Sequence, residues 1–260
     1  MQSGDRNTRF FHEKASTRYK KNLIEGLMDE NSNWLEGDEH VERMMLQYHE
    51  RLFTSSYPSE FEEILDVVQH KVTPTMNQAL VREFSEVEVK NALKQMYPLK
   101  SPRPDGMPPL FYQHFWSKIG GVVTSSVLAF LNSGIIPPNS NRTHIVLVPK
   151  FKEPKTVTDY KPISLCNVVY KIASKAITNR LKKVLPSIIS DTQSAFLHGR
   201  LIIDNVLVAY EMMHHISQKK SGRVGDLALK LDMSKAYDRV EWIWLEKLCT
   251  SWVFMINGVL

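Results

Sequence analysis

Apolar positions recur along this chain with two different periods. From Glu39 to Phe53 they stand at Val41, Met44, Met45, Tyr48 and Leu52, the i, i+3, i+4, i+7 spacing that predicts one buried face of a helix, with the methionines in the core. Val89, Ala92, Leu93 and Met96 repeat the pattern, and Ser85-x-x-Glu88 in front of them is a capping box, so a helix is predicted from Ser85 to Met96, ending before Pro98. Phe111, Phe115, Ile119, Val122 and Val123 predict another helix, broken at Pro137-Pro138. A long amphipathic helix carries Leu165, Val168, Val169, Ile172, Ala176 and Leu185 on its apolar side and is expected to stop at Pro186. Leu201 to His215 predicts a further one, with Ile203, Leu207, Tyr210 and His214 on one side.

Strand signals are fewer. Ile145 to Pro149 is a short β-branched run, and Leu227 to Asp232 alternates so that three leucines share one face while Ala228, Lys230 and Asp232 share the other. Leu23-Ile24 and Trp34-Leu35 flank the turn-forming Asp29-Glu30-Asn31-Ser32-Asn33, the pattern of a β-hairpin. Asp159-Tyr160-Lys161-Pro162-Ile163-Ser164 is expected to be a turn feeding the long helix. Lys100 to Pro109 holds four prolines and a glycine, which predicts a stiff loop. Ser234 is a candidate cap for a last helix through Ala236, Val240, Ile243, Trp244 and Leu248. The mixture is α+β.

The 260 residues are 43% hydrophobic and 23% charged, which suits a folded chain and excludes a disordered one. Net charge is +5, and its distribution says more than its size. Residues 141–200 hold 11 Lys/Arg against 3 Asp/Glu, a net of +8, while residues 36–70 hold 9 acids and 2 bases. A basic stretch of this kind suits a phosphate backbone, although Lys171, Lys175 and Lys182 also fit a merely solvated helix face. Two cysteines make neither a disulfide framework nor a Cys-rich zinc site, which points to a reducing, intracellular setting. The longest uncharged run, 119–141, is broken by glycines and prolines, and no membrane span is expected. Hydrolase signatures are absent: there is no Gly-x-Ser-x-Gly, no His-Glu-x-x-His and no P-loop. His214-His215 lacks companion ligands and fits partly exposed surface.

Asp232 ends a predicted core strand beside a turn, a common position for a magnesium ligand but more often that of a helix cap or turn residue. Here the residues resemble a family. Leu231-Asp232-Met233-Ser234-Lys235-Ala236-Tyr237-Asp238-Arg239-Val240 is similar to the first carboxylate motif of reverse transcriptases, in the form used by plant non-LTR, LINE-type retrotransposons. Pro102-Arg103-Pro104-Asp105-Gly106 resembles the loop before the fingers, Ile145 to Lys150 with Asp159 to Asn167 the first fingers motif, and Gln193 to Arg200 the second. Gly4 to His12 resembles the linker that precedes the polymerase. Arg103 stands where the family has glycine, and Lys161 where it has arginine.

That resemblance implies right-hand polymerase fingers with an incomplete palm, preceded by a mainly helical extension. The segments would be an N-terminal linker at 1–80, fingers at 81–225, and the start of the palm at 226–260. It implies copying of an RNA template into DNA from a DNA primer and dNTP, with two Mg2+ ions at the reacting phosphate. Asp232 and the backbone carbonyl of Met233 would hold metal, Asp232 being the catalytic carboxylate. Tyr237 would pack under the incoming sugar, Lys161, Lys150 and Arg200 would meet the nucleotide, and Arg200 and Phe196 the template. Phe196 is expected more readily in the core than at a template. No Asp-Asp pair occurs in the sequence, so the family's second carboxylate motif is missing and the chain is expected to be inactive as it stands. The alternative is a non-catalytic module that binds RNA or DNA. No obligate protein partner is evident, and a nuclear location follows from the family alone.

Overall fold

The computed structural model describes residues 9–100, 105–219 and 225–252. The resemblances at Gly4 to Thr8 and Pro102 to Pro104 lie outside the described residues, as does the tail after Trp252. Contacts divide the chain into two compact units, each discontinuous in sequence: Met1–Ser55 with Thr143–Leu165, and Ser56–Arg142 with Cys166–Leu260.

The first unit contains α1 (Arg9–Asn22), the strands β1 (Gly26–Met28) and β2 (Trp34–Glu36), and α2 (Asp38–Phe53). The expected hairpin forms, but its first strand begins at Gly26 rather than at Leu23. Asp29 sets the turn: its Oδ1 accepts the N–H groups of Asn31 at 2.9 Å and Asn33 at 2.8 Å, which consumes the donors between the strands. Gly26 is needed where it stands, because a Cβ there would lie 2.8 Å from the Leu35 carbonyl oxygen and 2.8 Å from the Trp34 ring. Val41 and Met45 of α2 bury against Leu27, as the helical period predicts.

The same unit holds the antiparallel pair β3 (His144–Pro149) and β4 (Tyr160–Leu165), in register Val148 to Lys161 and Pro149 to Tyr160. The stretch expected to be a turn is thus a strand. β3 offers a partner edge for its backbone groups, and Tyr160 buries with Val157 and Leu147 against Leu27 and α2. Pro162 is tolerated because every strand of a two-stranded sheet is an edge.

The second unit is helical: α3 (Glu62–Leu65), α4 (Pro74–Val81), α5 (Glu86–Lys94), α6 (Pro109–His114), α7 (Trp116–Ser133), α8 (Val168–Ile188), α9 (Ile202–Gln218) and α10 (Trp242–Ser251). Its main core is Val89, Ala92 and Leu93 of α5, Val123, Val127 and Leu131 of α7, and Val168, Ile172, Ala173 and Ala176 of α8. Asn167 caps α8 by accepting the Tyr170 N–H at 2.7 Å, and Gly134 ends α7 in the left-handed conformation. Helix α8 does not stop at Pro186 but runs on to Ile188. Val184 and Ile188 are buried with Val72 and beside Met76 and Leu80, and this packing outweighs the one hydrogen bond that the proline removes.

Two expectations near the end of the chain fail. Residues 227–232 form no strand: Leu227, Leu229 and Leu231 are 88%, 74% and 84% exposed. An alternating pattern makes a strand only when a neighbour takes its N–H and C=O groups, and the described strands pair only as β1 with β2 and β3 with β4. Nor does Ser234 start a helix. A short 3-10 turn covers Ala236–Asp238 after Lys235 in the left-handed conformation, and α10 begins only at Trp242.

Candidate nucleic-acid and metal-binding residues

Lys150 and Lys161 belong to the first unit. Lys150 follows β3 directly; its N–H donates to the Asp159 carbonyl at 2.8 Å and its Nζ to the Thr158 carbonyl at 2.8 Å. Lys161 lies on β4 opposite Val148, with its side chain exposed. The connection between them is held by Asp159, whose Oδ2 accepts the N–H groups of Thr156 and Lys155, each at 2.9 Å. Those bonds, Thr156 first, keep its carboxyl below the usual range. This end of the hairpin therefore carries the exposed Lys150, Lys152, Lys155 and Lys161 together with the exposed Glu153, while the Asp159 carboxylate is already engaged by the backbone.

The remaining expected residues belong to the second unit. Arg200 is half-buried and braces the chain after α8. Its guanidinium donates to the carbonyls of Gln193 at 2.7 Å and of Pro186 and Ile189 at 3.3 Å each, to the Ser190 carbonyl, and to Asp191 Oδ1 at 3.3 Å. Its donors are spent on the orphan carbonyls at the helix end. Ser194, buried nearby, donates to Asn205 Oδ1 at 3.0 Å and so ties the same segment to α9. Phe196 is not in the core: it is 85% exposed and has φ 64°, a strained value for a bulky side chain. Its ring meets Tyr237 edge-on, with centroids 6.1 Å apart, and Tyr237 is itself 78% exposed. The structure thus brings together two residues 41 positions apart in the sequence, as an exposed aromatic pair.

Asp232 and Met233 are exposed on irregular backbone just ahead of that pair. Among the described residues no three His, Cys, Asp or Glu side chains converge on a point that could hold a metal ion. One exposed carboxylate and one carbonyl do not by themselves make a metal centre.

Sequence reasoning missed the residue that organises this unit. Arg180 of α8 is only 4% exposed. Its five N–H groups all donate: to Glu88 Oε1 at 2.8 Å and Oε2 at 3.0 Å, to the carbonyls of Leu80 and Glu83 at 2.8 Å each, and to the Arg82 carbonyl. Its carbon Cζ also sits 3.4 Å from the centre of the Phe84 ring. Glu88 in turn accepts the Ser85 N–H and hydroxyl, both at 3.0 Å, so the capping box read from the sequence is built on a buried ion pair. Arg180 first, then Ser85, holds the Glu88 carboxyl at about 2. The sequence signal was weak: an arginine on the side of α8 that otherwise carries Val168, Ile172, Ala173, Ala176 and Val184. Of the eleven bases between residues 141 and 200, Arg180 and Arg200 are thus consumed inside the fold.

Residues 148–258 match the family model for reverse transcriptase (RNA-dependent DNA polymerase), a span that includes all seven expected site residues. That stretch of the chain is therefore similar to reverse transcriptases. Its relatives are transposon proteins. Over 239 residues it is 30% identical to the uncharacterized 149 kDa protein of transposon TX1 from Xenopus laevis, covering 91% of this chain and 18% of that protein. Over 191 residues it is 24% identical to the probable RNA-directed DNA polymerase from transposon BS of Drosophila melanogaster, covering 72% of this chain and 20% of that protein. The chain spans about a fifth of the length of these relatives.

Proposed function

We propose that these 260 residues are an N-terminal linker (1–80), the fingers (81–225) and the start of the palm with the first carboxylate motif (226–260) of a non-LTR, LINE-type retrotransposon reverse transcriptase, of the plant kind on the wording of its motifs. The enzyme would copy an RNA template from a DNA primer with dNTP, at the nucleus. The observation that carries this reading is the match of residues 148–258 to the reverse transcriptase family, a span that contains the string Leu231 to Val240, which resembles the first carboxylate motif.

In that reaction Mg2+ is the cofactor, and Asp232 with the Met233 carbonyl is what this chain contributes to holding it. Tyr237 takes the place under the incoming sugar. Lys150 and Lys161 supply positive charge from one hairpin, Lys161 as a point charge rather than a bidentate fork. Phe196 stands exposed for a template base, while Arg200 serves by shaping the segment that presents it. Because the sequence has no Asp-Asp pair, the carboxylate set of the reaction is not supplied by these residues alone, and nucleic-acid binding is what they perform by themselves.

The test is the purified chain with a labelled RNA template and annealed DNA primer. Binding that weakens steeply as salt rises, without primer extension in Mg2+ and dNTP, is the expected result. Extension would refute the statement about the carboxylate set. Absence of salt-dependent binding would refute the nucleic-acid reading itself.

A further inference from the structure

Helix α9 buries none of its residues, although its sequence is amphipathic. Ile203, Val206, Leu207, Tyr210 and Met213 share one face at the i, i+3, i+4, i+7 spacing, and each is between 55% and 70% exposed. Lys219 Nζ donates to Asp226 Oδ2 at 2.7 Å, which brings the end of that helix close to the start of residues 227–232. There Leu227, Leu229 and Leu231 alternate along irregular backbone, and they too are exposed. An uncovered helix stripe is thus followed in the chain by an alternating segment that lacks a neighbour. Two strands alone are marginal, whereas two strands backed by helices are stable. The second unit holds no other strand among the described residues, so nothing within it supplies the missing edge.

A second copy of the chain supplies that edge, and both area and charge favour it. The eight apolar side chains, at about 100 Å² each, offer about 800 Å² per copy, which is what each partner gives to a specific interface. Antiparallel pairing of the segment with itself must keep the leucines on one face, because a one-residue slip would turn them outward. Among the registers that do so, one places Leu231 opposite its own counterpart on the two-fold axis. It sets Leu229 against Met233 on the apolar face and, on the polar face, Lys230 of each copy against Asp232 of the other. The registers on either side of it oppose Lys230 to Lys230 or Asp232 to Asp232 on the axis, which like charges disfavour. The segment therefore carries its own register for a symmetric, self-complementary contact.

We propose that this chain forms a two-fold symmetric dimer in which residues 228–234 of the two copies pair as antiparallel strands, with the apolar stripes of the two α9 helices covering the leucine face. The apolar surface supplies the affinity, and the Lys230–Asp232 pairs, exposed at the rim, set the register. The dimer goes beyond the nucleic-acid reading above and does not depend on it.

Sedimentation equilibrium of the purified full chain, from about 1 to 100 μM, measures the association, and a monomer–dimer equilibrium within that range is expected. Leu231→Gln removes an apolar side chain from both copies at the axis and should weaken the dimer by about a hundredfold. Lys230→Asp sets carboxylate against carboxylate twice and should weaken it by about tenfold, while the swap K230D/D232K restores opposite charges and should return to within about threefold of wild type. The register is read by disulfide trapping in a C166S/C249S background. Leu231→Cys should crosslink two copies on oxidation, because directly opposite residues stand about 5 Å apart, and Leu227→Cys should not. Every substituted side chain in the segment is exposed in the single chain, so the helices of each variant should be intact by far-UV circular dichroism. A chain that stays monomeric at every concentration would overturn the proposal. A dimer indifferent to both L231Q and K230D would overturn this surface, and polydisperse aggregates without a dimer would overturn specific pairing in favour of unspecific apolar contact. Crosslinking through Leu227→Cys as efficient as through Leu231→Cys would overturn the register.

Discussion

Replacing Glu88 by glutamine removes the charge that joins α5 to α8 through Arg180 and that also meets the more exposed Arg82 guanidinium at 3.2 Å. The side chain keeps its shape and loses its charge, leaving the Arg180 guanidinium buried without its counter-ion. Two routes give the magnitude. A carboxyl held at about 2 against an ordinary 4.5 corresponds to about 3 kcal/mol of stability at neutral pH. Breaking a buried pair by removing one partner costs about 3–5 kcal/mol in other folds. The two agree in order of magnitude. The sign of the pH dependence follows from the depressed value: the contribution is complete above about 4.5 and is lost as pH falls towards 2. Urea unfolding followed by far-UV circular dichroism at neutral pH and at acid pH measures both effects. Wild type should lose about 3 kcal/mol over that window through this group, whereas E88Q, already lower at neutral pH, should lack that part of the acid slope. R180M/E88Q, which removes both charges, should recover part of the loss because no unpaired charge remains. An E88Q chain as stable as wild type at neutral pH, or one with an unchanged acid slope, would refute the assignment.

Arg200→Ala should cost about 1–3 kcal/mol, since it strands carbonyls at the end of α8, and increased proteolysis between Ile189 and Arg200 would report it. Gly26→Ala should destabilise the first hairpin by about 1–3 kcal/mol through the collision with the Leu35 carbonyl and the Trp34 ring, seen as a lower Tm. Asp232→Asn should leave stability in urea unfolding unchanged within about 0.5 kcal/mol, because the side chain is exposed on irregular backbone; a larger loss would show a structural role and count against a carboxylate kept for metal.

The sequence by itself determined the elements whose evidence is local. The capping box Ser85-x-x-Glu88, the apolar stripe of α2, the β-branched run of β3 and the helix across Leu201 to His215 all formed where period and capping chemistry put them, because each depends on residues within a turn or two. The resemblance at Asp232 and Tyr237 was legible for the same reason: it rests on a contiguous string. What needed a distant partner was decided only by the tertiary structure. Residues 160–165 became a strand because β3 lay available to pair with them, while residues 227–232, with the cleaner alternation, have no partner strand among the described residues and are irregular. Helix α8 passed Pro186 because Val72 and Met76 were there to bury its last turn. Arg180 and Glu88, 92 residues apart, carry no mark in the sequence that they pair, nor do Phe196 and Tyr237 that they touch. Hydrophobic period and capping act through neighbours along the chain, whereas the burial that makes a charge pair strong, or a strand real, is a property of what the rest of the chain brings to it.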